Sequence, residues 1–343
     1  MPEDGRSTKI TTGHFLSKRM GDIISETEEQ SPPSGVSRGT QTESDGGAPQ
    51  DPSEPCVACG WTLEKNANAN YRSNVKLFYA ASTGGAWALG SRFILKERLV
   101  FPSSYEGTNL RFLKEKTNLS VPNILHEWTE SSRYFSITSR IEGETLEQVW
   151  PSLSGDDKER IAGQVARHLE KMRALTSDRI EAVGGEPLYD TGLFPNGEIG
   201  QQPLSSDEEL WNELEKPLSR LDDETRETLR ENMPPCRPYT FTHGDLSSYN
   251  IMVKDRNFSG FLDFEHSGFF PVWYEYVCCR FGLGEADTEW KELLSRHITE
   301  YPKAMNFHMA RLNLERDPNG EEAQKYLNDL VEDSSECPMV QIW

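Results

Sequence analysis

Three residues whose side chains could carry out chemistry lie close together in the second half of the chain. Asp245 stands in the segment Thr242–Val253 (THGDLSSYNIMV), Asn250 follows it by five residues, and Asp263 follows Asn250 by thirteen. A carboxylate, an amide and a second carboxylate in this order and spacing are typical of catalytic centres that transfer phosphoryl groups. The alternative, polar loop residues at chance spacing, would carry no chemistry.

Phosphoryl transfer asks for little covalent chemistry from a protein, because it depends on an aligned acceptor hydroxyl and on neutralised phosphate charge. We expect Asp245 to orient that hydroxyl and to accept its proton. Asn250 and Asp263 offer hard oxygen ligands, which suit a Mg²⁺ ion that bridges nucleotide phosphates. The apolar runs Ile251–Val253 and Phe261–Leu262 predict short strands that would hold these residues.

A lysine in the first half of the chain is the second candidate for nucleotide binding. Lys96 lies in the run Phe93–Glu97, which predicts a strand. Such a lysine can contact nucleotide phosphates when a glutamate on a helix holds it. Glu106, at the start of the next predicted helix, is the candidate partner, and Glu97 and Glu115 compete for that role. On its own, a lysine in a strand indicates only a solvated residue.

Two glycines, Gly84 and Gly85, stand where the tip of a hairpin would cover the phosphates, in a predicted turn at residues 82–85. By itself a glycine pair indicates only a turn. The sequence contains neither the GxGxxG nor the GxxxxGK[ST] pattern. We therefore expect a weak phosphate-covering loop at these two residues.

Composition limits the classes of partner. The chain has 343 residues, with 36 Lys and Arg against 56 Asp and Glu, and a net charge of −20. A surface this acidic repels phosphate backbones and anionic lipids, so we expect neither nucleic acid nor a membrane as a partner. No apolar run approaches the roughly 18 residues of a membrane span. Six cysteines and no apolar signal core indicate a reducing compartment, and we predict a cytoplasmic monomer or weak dimer.

Changes in amino-acid composition along the chain divide it into three parts. Residues 1–60, rich in Gly, Pro, Ser and Thr, read as a disordered tail, which accounts for a hydrophobic content of only 35%. Residues 61–142 read as a small N-lobe with an antiparallel sheet and one helix. Residues 143–343 read as a larger, mainly helical C-lobe with the catalytic and metal-binding loops. We thus predict an α+β, bilobal fold with a cleft between its lobes.

Periodicity supports this division. Alternating or continuous apolar residues predict strands, and three- and four-residue steps predict helices. Ser154–Asp157 predicts the start of a long helix. The predicted strands are 75–79, 86–89, 92–96, 124–128 and 134–141, and the predicted helices are 105–116, 154–172 and 207–231, the last interrupted before Pro217.

The sequence resembles the aminoglycoside phosphotransferase and choline kinase-like branch of the protein-kinase-like superfamily, in particular the fungal phosphotransferase enzyme family. The resemblance rests on His243–Asn250 and Leu262–Pro271, and on the shorter segments Phe93–Lys96, Ile141–Leu146 and Trp150–Ser154. Together these span about residues 70–305. Asp-Phe-Glu in place of Asp-Phe-Gly, and the absence of an Ala-Pro-Glu element, favour this branch over true protein kinases.

The resemblance implies a bilobal kinase-like fold that moves the γ-phosphate of ATP, or GTP, to a hydroxyl of a small molecule. Asp245 matches the family's catalytic base, Asn250 and Asp263 its metal ligands, and Lys96 its phosphate-binding lysine. Ser139–Ile141 matches the hinge whose backbone pairs with the base of the nucleotide. The family does not supply the acceptor, and a cationic one remains open.

Two rival functions stay open beside this one. A pseudo-kinase, a binding or regulatory module that kept the fold, is favoured by the weak glycine loop. Retention of the four residues Lys96, Asp245, Asn250 and Asp263 argues against it. A protein Ser/Thr kinase is disfavoured because a phosphorylatable activation loop is missing.

Several other residues could take part in chemistry, but the sequence signals for them are weaker. Cys56 and Cys59 could form half of a zinc site, but one CxxC is a weak signal. We interpret His243 as a brace of its loop rather than as a base for Ser247. Glu265 and Glu275 could line an acceptor pocket for a cationic substrate or have a structural role. The aromatic residues Trp273, Tyr274 and Tyr276 could form a cage for a cation or pack in the core. For Cys278 and Cys279 we expect core packing.

Overall fold

The described part of the chain begins with an antiparallel sheet, as the apolar alternation predicts. In this computed structural model the described residues are 75–80, 84–100, 105–190, 192–194, 202–332 and 339–341. They divide into two compact units, a smaller one built on this sheet and a larger one that holds all the α-helices of the described residues. The predicted tail at residues 1–60, and with it Cys56 and Cys59, lies outside the described residues.

The smaller unit contains five antiparallel strands in the order β1-β2-β3-β5-β4, which are β1 (Val75–Ala80), β2 (Gly84–Leu89), β3 (Phe93–Leu99), β4 (Ile124–Glu130) and β5 (Arg133–Ser139). Ser131 and Ser132 connect β4 to β5 with φ of 49° and 61°, the positive values of a type I′ hairpin. Lys96 of β3 lies opposite Ala86 of β2 on one side and opposite Ser136 of β5 on the other. These three side chains therefore share one face of the sheet.

The larger unit contains short strands and nine helices among the described residues. Its helices are α1 (Glu106–Lys116), α2 (Leu146–Val149), α3 (Gly155–Arg173), α4 (Asp207–Leu214), α5 (Asp223–Glu231), α6 (Tyr274–Cys278), α7 (Glu285–Ser295), α8 (Pro302–Arg316) and α9 (Glu321–Val331). Its strands are β6 (Glu144–Thr145), β7 (Thr176–Ser177), β8 (Tyr239–Thr242), β9 (Ile251–Lys254), β10 (Asn257–Phe261), β11 (Gly268–Phe270), β12 (Phe281–Gly282) and β13 (Val340–Gln341). They form the sheets β10-β9-β6, β11-β8-β7 and β12-β13.

Helix α3 begins where the sequence predicts. Ser154 Oγ accepts a hydrogen bond from the backbone N–H of Asp157 at 3.2 Å, and the Asp157 carboxylate accepts one from the N–H of Ser154 at 3.4 Å. This reciprocal pair is a capping box, which satisfies two otherwise unpaired N–H groups. The predicted apolar stripe is fully buried at Ile161, Val165, Leu169 and Met172.

Helix α1 groups with the larger unit, whereas the predicted boundary at residue 142 assigns it to the N-lobe. The ring of Phe112, on this helix, packs against the rings of Phe241 of β8 and Phe269 of β11, at centroid distances of 5.7 and 5.8 Å. The side chain of Asn109 bonds to two carbonyls of the loop after β10. These tertiary contacts, which no local pattern contains, decide the unit to which the helix belongs.

The predicted helix 207–231 is interrupted over a longer stretch than expected. Helix α4 ends at Leu214, a 3₁₀ turn spans Lys216–Leu218, and α5 starts only at Asp223. The side chain of Asp222 accepts a hydrogen bond from the N–H of Thr225 at 2.7 Å. This new N-cap separates α5 from α4.

Among the helices in the described part of the chain, none combines the length and apolar composition needed to cross a bilayer.

Candidate active site

The loop between β8 and β9 brings Asp245 and Asn250 into direct contact. The side-chain nitrogen Nδ2 of Asn250 donates to the carbonyl oxygen of Asp245 and to its Oδ2, each at 3.0 Å. The other carboxylate oxygen, Oδ1, accepts from the N–H of Ser247 at 3.3 Å. Both oxygens of Asp245 are thus held by the loop itself, so the carboxylate has a defined orientation.

Asp263 follows β10, which is the antiparallel neighbour of β9 and brings it next to this pair. The predicted strand Ile251–Val253 is confirmed by β9, whereas the predicted strand Phe261–Leu262 overlaps β10 only at Phe261. The N–H of Leu262 donates to the carbonyl oxygen of Asn250 at 2.9 Å. Asp263 itself has φ of 62°, in the left-handed region that few residues other than glycine adopt. The structure therefore brings the three predicted residues together within the larger unit.

His243 joins the two loops that carry these residues, and it is completely buried. Its Nδ1 accepts a hydrogen bond from the N–H of Asp245 at 3.2 Å, and Nε2 lies 2.9 Å from the carbonyl oxygen of Leu262. Since an amide only donates and a carbonyl only accepts, the network assigns the neutral ring with its proton on Nε2. Burial also lowers the pKa of His243. Its predicted bracing role is confirmed by these bonds.

Glu275 of α6 holds the same loop from beneath. Its Oε2 accepts from the N–H of His243 at 2.6 Å, and its Oε1 accepts from the N–H of Gly244 at 3.1 Å. Burial raises the pKa of this carboxyl to about 7. Of the two alternatives left open for Glu275, the structural one is confirmed.

Gly244 is needed at the turn between His243 and Asp245. Its φ is +83°, and a Cβ added to it would lie 3.1 Å from the carbonyl oxygen of His266. A side chain at this position would therefore meet both an unfavourable backbone conformation and a neighbouring loop.

Helix α7 also holds the catalytic loop by hydrogen bonds, through residues that no sequence motif identifies. Asp287 Oδ1 accepts from the N–H of Ser248 at 2.6 Å, and the indole N–H of Trp290 donates to the carbonyl oxygen of Leu246 at 2.9 Å. The ammonium of Lys291 lies 3.1 Å from Asp287 Oδ2, and this ion pair is buried. No signal in the sequence links these residues to a loop about 40 positions earlier.

The remaining predicted nucleotide-binding residues are spread over both units. Lys96 and Ser139 lie on β3 and β5 of the smaller unit, and Ser139 Oγ accepts from the N–H of Asn123 at 2.8 Å. Glu106, which is buried, and Ile141 belong to the larger unit. Their predicted roles toward a nucleotide remain predictions.

Of the predicted turn at residues 82–85, Gly84 and Gly85 begin strand β2, and residues 82 and 83 lie outside the described residues. The two glycines pair with Arg98 and Glu97 of β3. A Cβ added at Gly84 would lie 2.5 Å from the carbonyl oxygen of Glu97, so the close approach of β3 is sufficient reason for a glycine there. Their predicted role in covering phosphates remains a prediction.

The donor set at Asn250 and Asp263 fits a magnesium ion. Both contacts of Asn250 to Asp245 use its nitrogen, which leaves the amide oxygen Oδ1 as an available ligand. Asp263 adds an anionic oxygen. No three His, Cys, Asp or Glu side chains of the described residues converge as a metal-binding group. Mg²⁺ is commonly held by one or two such oxygens and completed by substrate phosphates.

The aromatic residues for which alternatives were open pack in the core, as do the two cysteines. Trp273, Tyr274 and Tyr276 are each at most 4% exposed, and Cys278 and Cys279 are buried as well. Buried rings of this kind cannot form an open cage for a cation. Glu265, by contrast, is half-buried, and its carboxylate lies 3.5 Å from Nε2 of His266.

The chain is similar to known phosphotransferases. The model of the phosphotransferase enzyme family matches residues 103–308, more than half of the chain. The aminoglycoside 3′-phosphotransferase of Enterococcus faecalis is 44% identical over 45 residues, which cover 13% of this chain and 17% of that protein. The match thus spans about a sixth of the length of this curated relative.

Solved structures of phosphotransferases are similar to this chain at low sequence identity. The apo form of a thermostable mutant of the aminoglycoside phosphotransferase APH(4)-Ia matches with a TM-score of 0.50 and 17% identity, over 76% of this chain and 94% of that one. The streptomycin–ATP ternary complex of APH(2″)-IIa matches with a TM-score of 0.46 and 17% identity, over 80% and 95%. The predicted α+β fold is confirmed by the first of these likenesses.

Proposed function

The chain belongs to the phosphotransferase enzyme family, and on that premise we propose that it transfers the γ-phosphate of Mg²⁺-bound ATP, or GTP, to a hydroxyl group of a small molecule. One observation carries the proposal. The amide of Asn250 donates both to the backbone and to the carboxylate of Asp245, and the chain segment of Asp263 is bonded to the same Asn250. The proposed base and the two proposed metal ligands therefore belong to one hydrogen-bonded segment of the chain.

In this proposal Asp245 binds the acceptor hydroxyl, orients it toward the phosphate and accepts its proton. Asn250 and Asp263 would hold the Mg²⁺ ion, which supplies positive charge against the phosphates when it is bound. His243, Glu275 and helix α7 keep the loop rigid, so little reorganisation is needed when the hydroxyl arrives.

The other nucleotide contacts follow from the family pattern. Lys96, held by Glu106, would contact the phosphates, and the backbone of Ser139–Ile141 would pair with the base of the nucleotide. Gly84 and Gly85 would lie beside the phosphates. The assignments of Lys96 and Ser139–Ile141 are supported by their match to the family's motifs, whereas those of Glu106, Gly84 and Gly85 rest on their order in the sequence.

For the acceptor we propose a polyhydroxylated, cationic small molecule. The matching relative is an aminoglycoside 3′-phosphotransferase, and the net charge of −20 favours a cation over an anion. Buried Trp273, Tyr274 and Tyr276 give no support to recognition through an aromatic cage, so carboxylates such as Glu265 are the better candidates for contact with the acceptor.

The test is an acceptor screen with the full chain, Mg²⁺ and either ATP or GTP. The panel contains aminoglycosides, amino alcohols, neutral sugars and a mixture of serine-containing peptides. We expect nucleoside diphosphate to form only with a cationic small alcohol, together with the phosphorylated product by mass spectrometry. Asp245→Asn is the matched control and should lower turnover at least about 10²-fold.

Two outcomes would favour the rival functions. Phosphate found on the peptides and on no small alcohol would indicate a protein kinase. Tight binding of Mg²⁺-nucleotide with no transfer to any acceptor would indicate a pseudo-kinase that acts as a binding module.

A further inference from the structure

A buried amide on helix α1 bonds to the loop that carries Asp263. Asn109 has no exposed surface. Its Nδ2 donates to the carbonyl oxygens of Phe264 at 2.9 Å and of Ser267 at 3.0 Å, across more than 150 residues of sequence. Both partners are carbonyl oxygens, so the nitrogen and oxygen of this amide are assigned unambiguously.

The loop needs such support because Asp263 has an unfavourable backbone. Its φ of 62° persists only where the neighbouring peptide groups are held on both sides. On one side, the carbonyl of Leu262 accepts from His243 and its N–H donates to Asn250. On the other side, the carbonyl of Phe264 accepts from Asn109. Asn109 therefore completes the restraint on the C-terminal side of Asp263.

The oxygen of the same amide indicates why an asparagine, and not an apolar residue, occupies position 109. Asn109 Oδ1 is buried and has no hydrogen-bond partner among the described residues. Burying an unsatisfied acceptor is unfavourable, and leucine would fill a similar volume without that cost. An asparagine at this position is explained by its two donated bonds, which leucine cannot make.

We propose that Asn109 is a positioning residue for metal binding, which holds Asp263 in the conformation that ligates Mg²⁺. The inference rests on the proposed function, since it takes Asp263 to be a metal ligand. It assigns to α1 a role in the metal site that is separate from the predicted pairing of Glu106 with Lys96. Groups that orient a metal ligand from behind commonly change metal affinity by 10- to 100-fold when removed.

The test compares binding of Mg²⁺-ADP with binding of ADP in excess EDTA, by isothermal titration calorimetry of the full chain. In Asn109→Leu we expect the Kd for Mg²⁺-ADP to rise at least about tenfold, while the Kd for metal-free ADP changes less than about twofold. Asn313→Leu is the matched control. It removes a buried amide whose Nδ2 donates to the Met309 carbonyl at 2.8 Å within α8, and it should leave both constants unchanged.

Each other result has a defined meaning. If the parent binds Mg²⁺-ADP and Asn109→Leu binds it equally well, the role of Asn109 is refuted and the proposed function stands. An equal loss for Mg²⁺-ADP and metal-free ADP also refutes it, because a general distortion would act on both. A parent that binds no Mg²⁺-ADP contradicts the proposed function itself, and this inference falls with it.

A second variant covers the case in which leucine prevents folding. Asn109→Ser is smaller and keeps one donor, so we expect a smaller rise in the Kd for Mg²⁺-ADP, about threefold, with the metal-free constant again unchanged. Equal affinity of Asn109→Ser and the parent for Mg²⁺-ADP would overturn the proposal.

Discussion

The amide nitrogen of Asn250 donates two hydrogen bonds to Asp245, one to its carbonyl oxygen and one to its carboxylate, both at 3.0 Å. One side chain thus orients the proposed base with its nitrogen while its oxygen remains available to a metal ion. The two functions of Asn250 can be separated by mutation, because aspartate offers oxygen ligands but no donor.

Asn250→Asp is therefore expected to keep metal binding and to lose the orientation of Asp245. The new carboxylate would face the carboxylate of Asp245 and favour protonation of one of the two. We expect kcat to fall about 10²-fold or more with the acceptor that the screen identifies, while the Kd for Mg²⁺-ADP changes little. Steady-state kinetics and calorimetry measure the two effects, and a large loss of nucleotide affinity with kcat unchanged would contradict this division of roles.

The pKa of Glu275 predicts a pH dependence of stability. Burial raises it from 4.5 to about 7, so the folded protein binds this proton more tightly than the unfolded chain does. The contribution of Glu275 to the free energy of unfolding is thus fully present below pH 4.5 and is lost, by about 3 kcal/mol, as the pH rises through 7.

Urea unfolding of the parent and Glu275→Gln at about pH 5 and about pH 8 isolates this contribution. Glutamine does not titrate, and its NH₂ group replaces one of the two oxygens that accept from the N–H groups of His243 and Gly244. The stability of the parent relative to the variant should therefore fall as the pH rises. A difference that is the same at both pH values would show that Glu275 does not titrate in this range.

Much of the site could be predicted from the sequence because its chemical residues are contiguous. Asp245, Asn250 and Asp263 lie within two hairpin-linked loops, so their spacing alone predicts that they meet. The strands of the smaller sheet and the capping box of α3 are equally local patterns.

The parts that could not be predicted depend on tertiary contacts. Asn109, Asp287 and Trp290 reach the loops from 39 to 158 positions away, and nothing in their own segments indicates it. The position of Gly84 in β2 depends on a tertiary contact as well, since the close approach of β3 accounts for a glycine there. Local patterns predict elements and contiguous motifs, whereas the supports of a site appear only when the chain is folded.

Gly244→Ala is expected to destabilise the catalytic loop. Alanine at φ of +83° is unfavourable by about 1–2 kcal/mol, and its Cβ would press on the carbonyl oxygen of His266. Gly155→Ala is the matched control, because that glycine begins α3 and a Cβ there meets open space. The control should be neutral or stabilising by up to about 1 kcal/mol. Equal stability of the two variants in urea unfolding would be inconsistent with the required turn.

The buried ion pair of α7 predicts a larger effect. Lys291→Met leaves Asp287 as an uncompensated charge in the interior, which costs about 3–5 kcal/mol in comparable cases. Lys116→Met, which breaks an exposed pair with Glu115, should leave the free energy of unfolding almost unchanged, because solvent screens this pair. Denaturant titrations of both variants measure this contrast, and a Lys291→Met protein as stable as its surface counterpart would argue against the support that α7 gives the loop.

Thermal unfolding with ATP or GTP, in the presence and absence of Mg²⁺, tests the magnesium–nucleotide site directly when the parent is compared with Asp263→Asn and Asp245→Asn. With nucleotide at about a hundred times its Kd, binding should add roughly 2.7 kcal/mol and raise Tm by several degrees. We expect a Mg²⁺-dependent rise in Tm in the parent and in Asp245→Asn that is lost in Asp263→Asn. No rise in the parent with either nucleotide, or an equal rise in Asp263→Asn, would contradict the proposed site.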